Sequence, residues 1–170
     1  GPGMKAILNL LQAGDEPGPD QEMFLRAQVL FWLMGATDGH AKNFSVFLMP
    51  GGRFRLTPLY DVMSAQPNVD AGEIRHSKMK LAMAVGDKRH YAIRTILPRH
   101  FVQTATQAGI AKTRIVNIFR ELVETAPAAI DKTRSDLPKS FPAQIADSIL
   151  GGLQKRIRRI ADDFTTDMSP

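Results

Sequence analysis

A chain of 170 residues with 44% hydrophobic and 23% charged side chains is expected to form one domain with a core of its own, and this composition excludes a disordered chain. It contains no cysteine, which excludes disulfides, thiolate nucleophiles and cysteine-bound zinc, and its four histidines form no pair spaced to grip a metal from one helix. The lack of cysteine fits a cytoplasmic protein, and no apolar run reaches the ~20 residues of a membrane span, so no membrane contact is expected.

The net charge of +5 is unevenly spread. Nine Lys or Arg lie between Arg75 and Arg114 against one acid, Asp87. Such a segment either faces an acidic partner (nucleic acid, phosphate, an acidic protein surface) or is a solvated face whose acids come from elsewhere in the fold.

In chain order, Gly1-Pro2-Gly3 ahead of Met4 reads as the remnant of a cleaved tag, and the fold is expected over 4–170. Ile7, Leu8, Leu10 and Leu11 predict a short helix over 4–13. Gly and Pro make 14–20 a loop. Residues 20–35 predict a helix with Asp20 as N-cap and Gly35 as the residue that ends it. It is apolar almost all round, so it is expected to be central and buried. A polar loop follows over 35–44. Residues 44–61 predict a hairpin turning at Gly51-Gly52, with Pro50 facing Arg53. Residues 64–72 read as irregular. From 74 to 164 the pattern is read as mainly helical. It holds a short apolar segment over 78–85, a helical turn or two over 91–97, and helices over 99–108, 111–125 (with Thr113 as a cap), 127–134 and 141–164. Gly151-Gly152 interrupts the last of these. The predicted fold class is mainly α with one β-hairpin, inserted after the first long helix.

The hairpin joins two groups of polar residues. With Pro50 opposite Arg53, outward counting sets Asn43 opposite Tyr60, with Asp61 one step beyond. Asn43 and Asp61 then share the open end of the hairpin, and Asp38 lies at the end of the buried helix that leads there. Oxygen donors of this kind suit Mg2+, which keeps waters and phosphate oxygens among its ligands. Asp38 and Asn43 also have the Asp-x-x-x-x-N spacing of a kinase catalytic loop, with Asp61 in the place of the second metal-holding acid. Three readings remain open on the pattern alone: a phosphoryl-transfer site, a structural turn with capping Asp and Asn, and other metal chemistry.

The wording of the two stretches goes beyond spacing. Trp32 to Val46 (WLMGATDGHAKNFSV) resembles the catalytic segment of the HipA family of bacterial serine/threonine-protein kinase toxins. Leu56 to Ala65 (LTPLYDVMSA) resembles the family's metal-binding segment, and Lys80 to Met83 (KLAM) and Pro98 to Phe101 (PRHF) are of the same type. The resemblance runs from about Phe24 to the last helix. It implies the C-terminal, mostly helical lobe of a bilobal, kinase-like fold that uses ATP and Mg2+. Asp38 is then the catalytic base, and Asn43 and Asp61 bind the metal. His40 and Lys42 lie in the catalytic loop, His40 either holding the transferred phosphate or stabilising the loop, Lys42 either near the nucleotide or simply exposed. Tyr60 either stacks near the nucleotide or packs in the core.

The resemblance also implies partners. These are a HipB-like antitoxin, operator DNA through the antitoxin complex, and a protein substrate such as an aminoacyl-tRNA synthetase, in a toxin–antitoxin pair tied to growth arrest and persistence. The stretch after Phe101 (VQTATQAGI) lacks Lys and Arg, which argues against direct DNA contact from that helix. About 35 residues precede Asp38, with no Gly-rich phosphate loop, strand Lys or partner Glu among them. The chain is therefore expected to be a piece of a longer protein, inactive as a kinase alone. The alternatives are a binding module for an antitoxin–DNA complex without catalysis, and a small-molecule phosphotransferase of kinase-like fold.

Overall fold

The longest apolar stretch of the sequence becomes the axis of the fold. The computed structural model describes residues 1–167. Helix α1 spans Met4–Leu11 and α2 spans Pro17–Met34. Ten residues of α2 are buried, among them Phe24, Val29, Trp32 and Leu33, on every side of the helix. A helix apolar all round needs cover all round, and α1, α5 and α6 supply it. The helix begins three residues ahead of the expected start. Pro17 and Pro19 fall in its first turn, where a fixed φ is already helical and a missing N–H costs nothing. Glu16 therefore occupies the N-cap, and Asp20 is not a cap. The Asp20 side chain is instead buried and accepts the Leu56 backbone N–H at 2.8 Å.

That bond docks the first hairpin, β1 (Val46–Met49) with β2 (Arg53–Leu56), onto α2. Asp15 N–H to the Phe54 carbonyl (2.9 Å) and the Arg55–Glu16 ion pair (2.8 Å) add to it. The register differs by one from the expected one. Met49 pairs with Arg53, and the loop is Pro50–Gly51–Gly52. Both glycines take positive φ, 83° and 77°, a left-handed backbone that glycine adopts without strain.

Helix α3 (Gln66–Asp70) occupies part of a segment read as irregular. A second hairpin, β3 (Lys80–Val85) with β4 (His90–Ala92), lies where the sequence reads as mainly helical. Leu81, Met83 and Val85 are buried in β3, which is strand period. Single turns of 3₁₀-helix at His76–Lys78 and Ile93–Thr95 flank it. Helices α4 (Pro98–Gln107), α5 (Lys112–Asp136) and α6 (Ala143–Asp167) complete the chain. Helix α5 runs through Pro127 and joins two expected helices, and it starts after Ala111 rather than at a Thr113 cap. Helix α6 runs through Gly151-Gly152 without interruption.

The aromatic centre of the core is Trp32, Phe101 and Phe119, with ring centroids 5.5 to 6.4 Å apart. Trp32 satisfies its indole N–H on the Ile93 carbonyl at 3.0 Å, which ties the second hairpin to α2.

Candidate functional site

The site begins where α2 ends. A helix leaves its last four carbonyls without intrahelical donors, and here each finds one. Ala36 N–H folds back to the Phe31 carbonyl (2.8 Å) and Gly35 N–H to that of Trp32 (3.3 Å). Arg156 Nε donates to Leu33 (2.5 Å) and Ser64 Oγ to Met34 (2.6 Å). Gly35 carries φ 70°, the left-handed residue that closes such a helix end. The chain then turns back along the helix. A Cβ on Gly39 would stand 2.3 Å from Phe31 Cδ2, so only glycine lets the loop lie this close.

Two turn bonds carry the chain from Asp38 to Asn43. His40 N–H donates to the Asp38 carbonyl (2.7 Å) and Asn43 N–H to that of His40 (3.0 Å), and Ala41–Asn43 form a single 3₁₀ turn. The returning arm, 57–65, is pinned to the outgoing one at both ends. Thr57 N–H meets the Ser45 carbonyl (2.9 Å), Ala65 N–H meets that of Gly35 (2.9 Å), and Ala36 and Ser64 form an antiparallel bridge.

Between these pins, Asn43 Nδ2 donates to Asp61 Oδ2 at 3.2 Å. Asn43 is buried and Asp61 exposed. The one-residue register change leaves this meeting intact, because it depends on the end of the hairpin and not on the rung. Asp61 has φ 55°, a left-handed backbone uncommon outside glycine, which Asp tolerates better than most residues. Asp38 is exposed, and its Oδ1 lies 3.5 Å from His40 Nε2. The buried His40 Nδ1 has no hydrogen-bond partner among the described residues. Lys42 is exposed, and its backbone carbonyl accepts from the Tyr60 hydroxyl at 3.3 Å. That hydroxyl also meets Ser45 Oγ at 2.7 Å, so Tyr60 lies across the open end of the hairpin and is not in the core.

The geometry thus brings together Asn43 with Asp61, and Asp38 with His40. It adds residues that spacing does not reveal. Ser64, Gln66 and Arg156 hold the two arms, and Gly39 permits their path. A Gly in a polar loop was the available signal for the last. Of the basic segment, Arg114 is paired with Glu22 (3.5 Å) and reaches the Gly18 carbonyl (2.6 Å). Arg75, Lys78, Lys80, Arg94 and Lys112 are exposed. The ladder pairs Lys80 with Ala92, so Lys80 and Arg94 lie at the same end of the second hairpin.

The fold and site together define a mainly helical lobe whose polar loop and hairpin end set an Asp beside a His and an Asn beside an Asp. The family model for the HipA-like C-terminal domain matches residues 1–130, and the chain belongs to that family. Over 130 residues it is 25% identical to the Sinorhizobium fredii protein "Putative kinase Y4dM", covering 76% of this chain and 29% of that protein. Its fold is similar to a chain in the Shewanella oneidensis complex of HipA, HipB and operator DNA, with a TM-score of 0.82 and 21% identity, covering 100% of this chain and 39% of that one. The chain therefore spans well under half the length of these two relatives.

Proposed function

We propose that this chain is the catalytic lobe of a HipA-type toxin kinase, which transfers the γ-phosphate of ATP to a serine or threonine hydroxyl of a protein. The observation that carries the proposal is the Asn43–Asp61 contact at 3.2 Å, at the end of a loop that also bears Asp38. The family membership and the similarity to the Sinorhizobium kinase-like relative support it.

The donor set fits Mg2+. With Nδ2 of Asn43 given to Asp61 Oδ2, the Asn43 amide oxygen and the second Asp61 oxygen remain as hard donors. Among the described residues no three His, Cys, Asp or Glu converge on one point. A pair of donors that leaves most positions to phosphate and water is the Mg2+ pattern. The ion, when bound, neutralises charge on the phosphate oxygens.

The chain's own residues do the rest. The exposed Asp38 carboxylate accepts the proton of the attacking hydroxyl. His40 Nε2, 3.5 Å from Asp38 Oδ1, orients that carboxylate and lies on the side of the loop that faces the transferred phosphate. Tyr60, held by Ser45 and Lys42, fixes the mouth of the hairpin and offers its ring to the nucleotide, and the exposed Lys42 ammonium adds positive charge there. The exposed lysines and arginines around the second hairpin suit an anionic partner. The similar Shewanella chain is part of a complex with HipB and operator DNA, which supports an antitoxin–DNA complex as that partner.

The test is phosphoryl transfer from γ-labelled ATP to protein by the full-length kinase. Asp38→Asn should lose about a thousandfold or more in turnover, and the 170-residue chain alone should transfer no phosphate. Toxicity that survives Asp38→Asn would instead favour a module that binds an antitoxin–DNA complex without catalysis.

A further inference from the structure

Residues 131–167 lie outside the matched stretch 1–130, yet α6 reaches into the site's foundations. Arg156 is the point of contact. Its Nε donates to the Leu33 carbonyl at 2.5 Å, and its Nη1 donates to Gln66 Oε1 at 2.9 Å. Leu33 stands five residues before Asp38, and Gln66 stands five residues after Asp61. One guanidinium thus grips the end of α2, where the outgoing arm leaves, and the start of α3, where the returning arm arrives, at matched distances from their acids.

We propose that Arg156 is a positioning residue that clamps the two arms together, so that Asn43 and Asp61 meet with Asp38 beside them. The proposal rests on the kinase reading above for its consequence in catalysis, though not for its geometry.

The remainder of the clamp returns to α6. Gln66 Nε2 donates to Asp70 Oδ1 (2.9 Å), and Ser148 Oγ donates to Asp70 Oδ2 (2.5 Å). The glycine of α6 nearest the network explains itself. A Cβ on Gly152 would lie 2.9 Å from Arg156 Nη2 and from Gln66 Oε1, so a small residue makes room for the side chains that cross here. The cation also faces the carbonyl end of α2, the favourable end of the helix dipole.

A filler of space does not account for this residue. Burial lowers the Arg156 pKa, with Asp70 opposing, and the buried Nη2 has no hydrogen-bond partner. An apolar side chain would avoid both penalties. What it would lack is a fork of donors in fixed geometry that reaches two acceptors on two arms. Loss of the fork leaves the Leu33 carbonyl and the Gln66 amide oxygen without these donors.

Two variants and two readouts test the clamp. Arg156→Lys keeps the charge but not the fork, and Arg156→Gln loses both. Amide hydrogen exchange is measured on the full chain. The proposal predicts about tenfold or faster exchange at Ala36, Asn43 and Ala65 in both variants, with amides of α4 and of the first half of α5 unchanged. Exchange unchanged at those three amides, or raised equally throughout the core, would overturn it. In the full-length kinase, turnover should fall about 10- to 100-fold, with half-saturating Mg2+ raised and KM for ATP moved far less. Arg156→Lys with wild-type turnover would overturn the catalytic consequence. If the wild-type protein transfers no phosphate, the kinase reading fails, while the exchange result still decides the clamp.

Discussion

Gly39→Ala tests the path of the loop. The added Cβ would lie 2.3 Å from Phe31 Cδ2 and 2.6 Å from Cε2. Ordinary carbon–carbon contact is about 3.5–4.0 Å, so the overlap exceeds about 1 Å. The ring cannot simply swing aside. Phe31 is 4% exposed and packs at 6.1 Å from the ring of Phe44. Either the ring repacks or the loop backs away, and overpacking of this kind costs about 1–3 kcal/mol. A loop displaced by about 1 Å would also cost roughly a hundredfold in turnover. Urea unfolding measures the first effect, and phosphoryl transfer by the full-length protein measures the second. A double-mutant cycle isolates the clash. In a Phe31→Ala background the clashing ring atoms are gone, and Gly39→Ala should cost at least about 1 kcal/mol less than in the wild type. A cost within about 0.5 kcal/mol of zero, or the same cost in both backgrounds, would refute the reasoning.

Three further predictions concern the frame around the site. Asp20→Ala removes the buried acceptor of the Leu56 N–H and should destabilise the chain by about 2–3 kcal/mol in urea unfolding, with faster amide exchange concentrated in the first hairpin. His100 is held below its usual pKa of 6.5, chiefly by burial and then by the charges of His90 and Arg99, with Asp87 opposing. The folded state favours the neutral ring, so the unfolded chain takes up the proton first. The stability this contributes is present above about pH 6.5 and is lost as the pH falls below it. His100→Gln, which can still accept the Leu97 N–H from that position, should lose less stability than the wild type between neutral and mildly acidic pH. Pro127→Ala restores an exposed interior turn of α5 and should stabilise by about 1–2 kcal/mol, the helical gain offset in part by a freer unfolded chain; differential unfolding in urea measures it.

The parts legible from sequence were those encoded locally. Helix α2 could be read because Phe24, Val29, Trp32 and Leu33 leave it no polar face, and Gly35 marks its end. The first hairpin could be read from Pro50-Gly51-Gly52, though not whether two or three residues make the turn. The meeting of Asn43 with Asp61 is the same for either turn length. Strand β3 was lost because Ala82 and Ala84 blur the alternation of Leu81, Met83 and Val85, and Ala, Leu and Met all favour helix. Asp20 looked like a cap because a cap needs only local sequence, while its real partner is the Leu56 amide, 36 positions away. Arg156 was invisible for the same reason at greater range. It bonds residues 123 and 90 positions away, one of them through a backbone carbonyl that no side-chain pattern records. Gly152 read as a helix break and is a contact.

On the proposed function, Asn43 and Asp61 share a divalent cation next to Asp38. Paramagnetic broadening by Mn2+, a stand-in for Mg2+, tests it on an amide-resolved spectrum of the chain with ATP present. Early loss of the Asn43 side-chain amide and of backbone amides within 38–43 and 60–62 is expected, with recovery of those signals in Asp61→Asn. Broadening that spares these residues and gathers instead at acids elsewhere, such as Asp15 and Glu16 or Asp131 and Asp136, would contradict it.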